Sequence, residues 1–410
     1  MEEKVTVEDR NEQDNNNNDK ITFTQGNNSL LEEVEESKKI DFSKERIKEF
    51  FNMKNINFLF GSGTSSGAIP NMIGLYDKVL EKLAIDLNVS LKVEFESIQK
   101  KIKKNDDLED ILGVLYSYRV YLRDQSKGEM NNVCNDLIEL IEEIVFQEIN
   151  ISETSLIESE VFKNYQRFYQ KIALRNKDLS RINIFTTNND LFNEFALDSI
   201  NIHYINGFSG GVNKYFNPAL FNYNYSKRMD TSIEKFEPVE NMVYLYKIHG
   251  SVNWIEDSSS ANSFFNIKEI SKPERKKGVE NVLIYPTPTK QNKSLGSPYV
   301  EMFREFQTKL LEPHTVLFVM GYSFSDEHVN NIIYQALATN STINVVIFGE
   351  IDSKITTIND NRIFNIHGLS KGEKVHYFDF IVNKLLPNID AFKSQDNILN
   401  EFIKSIKKVD

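Results

Sequence analysis

The run Ile56-Asn57-Phe58-Leu59-Phe60 passes without a break into Gly61-Ser62-Gly63-Thr64-Ser65-Ser66-Gly67. A short apolar run of this kind has the character of a strand buried on both faces. A glycine turn directly after it is how a nucleotide-binding βα unit begins. The chain then departs from an ordinary βαβ unit, because the pattern stays helical from about Leu75 to Asp178. Within Met130–Phe146, the residues Met130, Val133, Cys134, Leu137, Ile141, Ile144 and Val145 fall on one face of a helix. Leu108, Ile111, Leu112 and Leu115 repeat the pattern one helix earlier. The stretch 75–178 therefore reads as a helical insertion with Cys134 in its core.

Strand-like segments return at Ile182–Thr186, His203–Ile205, Met242–Ile248, Val282–Tyr285, Thr315–Met320 and Ile343–Phe348. Helical patterns cover Ser43–Phe51, Pro298–Leu311 and Asp326–Ala338. This alternation predicts an α/β fold, a Rossmann-like and mostly parallel sheet with helices on both faces plus the helical insertion. Residues 1–28 carry an Asn tract and few apolar residues, so a disordered tail is expected there. A short helix is read over Ser29–Glu36. The folded body is expected over 29–390, with a closing amphipathic helix in 391–410, clearest over Asn397–Val409.

Composition removes several classes of function. The net charge is −12, and the basic runs Lys100–Lys104 and Arg275–Lys277 are short, so direct nucleic-acid binding is not expected. No apolar stretch is long enough to cross a bilayer and no secretion signal opens the chain, which reads as cytoplasmic. With Cys134 as the single cysteine, neither a disulfide nor a cysteine-built zinc site can form, and the histidines show no metal spacing. The chain has no GxxxxGK[ST] loop and no GxSxG elbow.

Ligands of doubly wound sheets bind beyond the carboxyl ends of the strands. Five such ends carry small, polar or ionisable residues: Gly61–Ser65, Thr187-Asn188-Asn189-Asp190, His249-Gly250-Ser251, Gly321-Tyr322-Ser323-Phe324-Ser325-Asp326 and Gly349-Glu350. They are expected to converge on one edge. Each alone is weak evidence. A glycine turn needs only a positive φ, GxGxxxG is one residue off the dinucleotide fingerprint, and a lone histidine at a strand end is commonly structural.

Together the strand ends resemble the sirtuins. GSGTSSGAIP at Gly61–Pro70 resembles their glycine loop, TTNND at Thr186–Asp190 their TQNID, IHGS at Ile248–Ser251 their LHGS, and GYSFS at Gly321–Ser325 stands where they have GTS. The resemblance implies a sirtuin-like NAD-binding catalytic domain. Two departures stand out: there is no four-cysteine zinc module, and Asn71-Met72-Ile73 replaces an Asp-Phe-Arg segment. With the large insertion, they make the chain resemble the sirtuin-like NAD⁺ hydrolases of bacterial anti-phage defence. It is most like the subunit that works with a HerA-type hexameric ATPase.

That resemblance implies cleavage of the nicotinamide–ribose bond of NAD⁺ as substrate, without zinc, by a homo-oligomer under partner control. It implies that Asn188 positions the ribose or the attacking water and that His249 accepts a proton. Asp190 would hold the loop or bond the nicotinamide amide. The backbone of Gly61, Ser62, Gly63, Thr64 and Ser65, with the following helix N-terminus, would hold the pyrophosphate. Thr187 would lie beside them, and Gly321, Ser323 and Glu350 would surround the adenosine half. Two other classes of function stay open from the residues alone: a protein ADP-ribosyl or acyl transferase, and a non-catalytic sensor of NAD⁺ or ADP-ribose.

Overall fold

The computed structural model describes residues 20–85, 89–102, 108–123, 128–172, 179–229, 235–257, 265–275, 281–283 and 298–387. In chain order its strands are β1 (Ile21–Gln25), β2 (Asn28–Ser29), β3 (Asn55–Phe60), β4 (Ile182–Thr186), β5 (His203–Ile205), β6 (Phe208–Ser209), β7 (Lys214–Phe216), β8 (Ser226–Arg228) and β9 (Phe236–Pro238). Then come β10 (Met242–Lys247), β11 (Gly250–Glu256), β12 (Ile267–Glu269), β13 (Asn281–Leu283), β14 (Thr315–Met320), β15 (Asn344–Phe348), β16 (Ile363–Ser370) and β17 (Glu373–Lys374).

The main sheet runs β2-β1-β16-β15-β14-β3-β4-β10-β5, with β17 pairing β16. All neighbours from β16 to β5 are parallel, whereas β1 and β17 lie antiparallel to β16. Period-2 alternation divides its side chains between two cores. Ile56, Phe58, Phe60, Val316, Phe318 and Met320 face one; Leu59, Leu317 and Val319 face the other. Helices cover both faces. Lys39–Phe50, Glu160–Ile172 and Phe192–Ser199 pack on the first, and Tyr299–Leu311 and Glu327–Thr339 on the second. This is the expected mostly parallel α/β fold.

Four helices, Met72–Ile85, Val89–Gln99, Leu108–Arg123 and Gly128–Ile149, build a third core of their own that includes Val252 of β11. Cys134 is buried there, its thiol donating to Leu115 O at 3.4 Å. The insertion is therefore shorter than 75–178. Glu160–Ile172 buries Phe162, Tyr165, Phe168, Tyr169 and Ile172 against the main sheet, so it belongs to the sheet layer.

Two more expectations are corrected. Ile21–Gln25 lies within the stretch read as a disordered tail, yet it pairs with β16 and buries Phe23 completely. Ser29–Glu36 is not a helix. Ser29 ends β2, and a turn leads to a 3-10 turn at Glu36–Lys38. The helix read in 391–410, and residues 284–285 of the Val282–Tyr285 segment, lie outside the described residues. A second sheet, β13-β11-β12-β7-β6, was legible only at β13; its strands pair antiparallel throughout.

Candidate active site

From β3 the chain proceeds toward β4 on one side, and from β14 toward β15 on the other. The β3–β14 boundary is thus the topological switch point, where open α/β sheets leave a crevice. The two turns at that boundary touch closely. A Cβ on Gly61 would lie 2.5 Å from Gly321 O, and a Cβ on Gly321, whose φ is +63°, would lie 2.5 Å from Thr64 N. Glycine at both positions is a packing requirement, and at Gly321 it is a conformational one as well.

A cavity of about 380 Å³ opens over these turns. From the strand ends it is lined by Ser62, Ser65, Thr187, Asn188, Asn189, Asp190, His249, Gly321, Ser323 and Asp326, and the insertion covers it with Leu75, Glu109, Val145 and Ile149. Four of the five expected strand ends therefore converge. The fifth does not: Glu350 is exposed and lies outside the cavity lining. Among the described lining residues there is no Lys or Arg.

Three of the glycine-loop N–H groups expected to face a phosphate donate inside the protein. Gly61 N donates to Met320 O (3.0 Å), Gly63 N to Gly321 O (2.9 Å) and Thr64 N to Gly61 O (3.0 Å). The first two tie the glycine loop to the end of β14 and its turn, and the third closes the loop on itself. Gly61, Gly63 and Thr64 themselves lie behind the wall, and the loop meets the cavity through Ser62 and Ser65. The first turn of Met72–Ile85 also borders it through Asn71 and Met72, and Asn71 caps that helix by accepting from Gly74 N at 2.9 Å.

Asn188 is held by a network whose polarity follows from counting protons. Thr64 Oγ1 donates to Gly61 O (2.9 Å), and Ser65 Oγ donates to Asp190 Oδ2 (2.8 Å). Each hydroxyl has then used its one proton. Tyr165 OH, 2.7 Å from Thr64 Oγ1 and 3.1 Å from Ser65 Oγ, is then the donor to one of them. The Asn188 amide nitrogen must also be the donor, to Thr64 Oγ1 at 3.0 Å and Ser65 Oγ at 3.2 Å. The two hydroxyls thereby fix the amide orientation and leave Asn188 Oδ1, the acceptor, for the cavity. Asn189 ties this loop to the next strand end, donating to His249 O (2.8 Å) and Gly250 O (3.1 Å).

Asp190 is 3% exposed and accepts from Phe192 N at 3.1 Å as well as from Ser65. Burial raises its carboxyl above the usual range, opposed by the nearby Lys247 and the Ser65 hydroxyl. Beneath it Lys247, with no exposed surface, pairs with Glu194 Oε1 at 3.0 Å and donates to Asp190 O and, at 2.7 Å, to Ser251 Oγ. Burial likewise raises the Glu194 carboxyl and the Tyr165 phenol.

Across the cavity His249 Nε2 lies 3.1 Å from Asp326 Oδ2, both side chains about nine-tenths buried. The other oxygen of Asp326 caps Glu327–Thr339, accepting from His328 N (2.9 Å) and Val329 N (3.2 Å). A carboxylate can only accept, so neutral His249 carries its proton on Nε2 and keeps Nδ1 as a base. The sequence reading missed this partnership. Asp326 was legible as a helix start, but which residue its second oxygen would meet was not. Tyr165, a hundred residues from the glycine loop, carried no local signal. Phe324 in the same turn has φ +57°, a left-handed value for a non-glycine residue, and its carbonyl accepts from Asn330 Nδ2 at 2.8 Å.

Residues 182–370 match the family model described as a SIR2-like domain. The matched stretch runs from β4 to β16 and contains Asn188, Asp190, His249 and Asp326; the glycine loop and the insertion precede it. No curated protein matches the chain. Among solved structures, the chain is similar to a Sir2 homolog–NAD complex, with 12% identity over 83% of this chain and 93% of that one and a TM-score of 0.42. It is also similar to a Sir2 homologue mutant–ADP ribose complex, at 12% identity over 83% and 96% of the two chains with a TM-score of 0.38.

Proposed function

We propose that the chain is a sirtuin-like NAD⁺ hydrolase that cleaves the nicotinamide–ribose bond, releasing nicotinamide and ADP-ribose. One observation carries this reading: an outward amide oxygen, Asn188 Oδ1, and a carboxylate-backed imidazole, His249, share one cavity at the sheet's switch point. The SIR2-like match over both residues supports it.

In the reaction the bond from the ribose anomeric carbon to the pyridinium nitrogen breaks. Its electron pair leaves with nicotinamide, and the sugar becomes oxocarbenium-like. Asn188 Oδ1 accepts a hydrogen bond from a ribose hydroxyl or from the attacking water and places its partial negative charge near that cation. Water adds to the anomeric carbon while His249 Nδ1 takes its proton. Asp326 stabilises the imidazolium until the proton passes to solvent. Ser62, Ser65, Ser323 and Ser325 supply hydroxyls for the rest of the dinucleotide, in a lining where the described residues include no cation.

Nicotinamide and ADP-ribose release from NAD⁺ by wild type, Asn188→Ala and His249→Ala tests the reading. Turnover that vanishes in both variants supports hydrolysis at these residues. NAD⁺ binding without release by the wild type, with or without a partner, overturns it.

An unrestrained NAD⁺ hydrolase harms its own cell. We therefore also propose that it works as a homo-oligomer controlled by a HerA-type ATPase in anti-phage defence, a reading supported by its resemblance to such subunits. Co-elution of the two proteins at micromolar concentration is the expected result, and separate migration would refute it.

A further inference from the structure

Lys247 is the last residue of β10 and has no exposed surface. Its ammonium has three protons to give. They go to three elements: Glu194 Oε1 in the helix Phe192–Ser199 (3.0 Å), Ser251 Oγ in β11 (2.7 Å), and the backbone oxygen of Asp190 in the loop after β4. Because Ser251 Oγ accepts from Lys247, its own proton is left for Asn189 O at 3.5 Å. Lys247 Nζ lies 3.4 Å from that same oxygen. Both carbonyls that follow Asn188 therefore rest on this one side chain. A buried ion pair adds little stability over apolar residues of the same volume, and the place of this one beneath the Asn188 loop gives it another task.

Its charge acts on Asp190. Burial raises that carboxyl, and Lys247 is the largest influence opposing it. Glu194 faces Asp190 from its helix, and Tyr165 and Tyr169 face it from Glu160–Ile172; burial raises both phenols, which stay neutral. An ionised Asp190 can only accept, so Ser65 donates to it and Ser65 Oγ accepts from the Asn188 amide at 3.2 Å. A protonated Asp190 would donate to Ser65 instead. The Ser65 proton, released from the carboxylate, would then oppose the Asn188 N–H and turn the amide oxygen inward.

We propose that Lys247 is a positioning residue for the reaction assigned to Asn188 and His249. Its buried ammonium fixes the Asn189–Asp190 backbone and keeps Asp190 the acceptor of the Ser65 proton, so that Asn188 Oδ1 stays turned to the cavity. The kinetic part of the test rests on the hydrolase reading; the exchange part does not.

Lys247→Met combined with Glu194→Gln removes both charges of the pair, so the fold should survive with a urea midpoint near wild type. In this variant kcat for nicotinamide release should fall about tenfold, as for one lost orienting hydrogen bond, while KM changes less. The acid limb of the kcat profile should move to higher pH. The same two changes made on Asp190→Asn should leave the limb in place, which separates Asp190 from His249. Deuterium uptake over Thr186–Asp190 should rise while that over Asn55–Phe60 stays as in wild type. Should the double variant not fold, Glu194→Gln alone decides: it leaves the Lys247 charge unopposed, so the acid limb should move to lower pH. A wild type without turnover defeats the hydrolase reading, and uptake then decides the role of Lys247. Unchanged uptake, a rise in KM that matches the fall in kcat, or an unmoved acid limb overturns the proposal.

Discussion

His249 and Asp326 meet at 3.1 Å between Nε2 and Oδ2, joining the end of β10 to the N-cap of the helix that comes after β14. One carboxylate does two tasks, orienting the imidazole and capping the helix. The tasks separate by substitution. Asp326→Asn preserves a good cap but removes the charge that stabilises the imidazolium. Nicotinamide release should fall about 100-fold, within the usual range for general-base catalysis, while the melting temperature stays near wild type. Asp326→Ala should lose activity similarly and also about 1 kcal/mol of stability with the cap. Full activity in Asp326→Asn would show that His249 works without this partner.

The contact between the two glycine turns gives a second prediction. Gly321→Ala places a Cβ 2.5 Å from Thr64 N on a residue already at φ +63°. The strain should cost about 1–3 kcal/mol and push the loop that holds Thr64 away from Asn188. Lower urea resistance together with lost NAD⁺ turnover is expected. An Ala variant equal to wild type in both would mean the turns separate without consequence.

Much of this architecture was legible because its signals are local. Phe58 and Leu59 read as a buried strand from their neighbours alone, and Asn188 and His249 from their places at strand ends. What escaped depends on partners distant in sequence. Ile21-Thr22-Phe23-Thr24-Gln25 is five residues beside an Asn tract, and only pairing with β16 makes it a strand. Trp254, fully buried in β11, belongs to a second sheet whose short strands give no period to count. That Gly61 N and Gly63 N donate to Met320 O and Gly321 O was not legible either, because a glycine turn looks the same whether its N–H groups face a ligand or a neighbouring strand end.

Phe23 tests the corrected N-terminal boundary. Its side chain is fully buried, with its ring 6.4 Å from that of Phe364. Phe23→Ala should cost about 3–5 kcal/mol, read as a lower urea midpoint. A neutral result would mean that β1 contributes nothing to the fold.

Asp190 makes stability depend on pH. Burial raises its folded pKa above the ordinary 3.8, with Lys247 opposing. The folded state then binds the proton more tightly than the unfolded chain. The corresponding stability is present below 3.8 and is lost as pH rises through the folded value. Asp190→Asn does not titrate there. The advantage of wild type over this variant should therefore shrink between pH 4 and pH 7 in urea unfolding. An advantage that grows over the same range would mean that Lys247 and Ser65 outweigh burial.

The same carboxylate should govern catalysis through Ser65. Asp190 Oδ2 takes the Ser65 proton at 2.8 Å, which makes Ser65 Oγ an acceptor for the Asn188 amide at 3.2 Å and turns Asn188 Oδ1 toward the cavity. Ser65→Ala removes both bonds and leaves Asp190 Oδ2 without that donor, so a stability loss of about 1–3 kcal/mol is expected. Asn188 keeps Thr64 as an acceptor, so kcat for nicotinamide release should fall about tenfold rather than vanish, while KM changes less. Ser65→Ala and Asp190→Asn act through one hydrogen bond, so the double variant should lose little more activity than the worse single one. Fully additive losses in kcat would mean that Asp190 acts on the substrate directly.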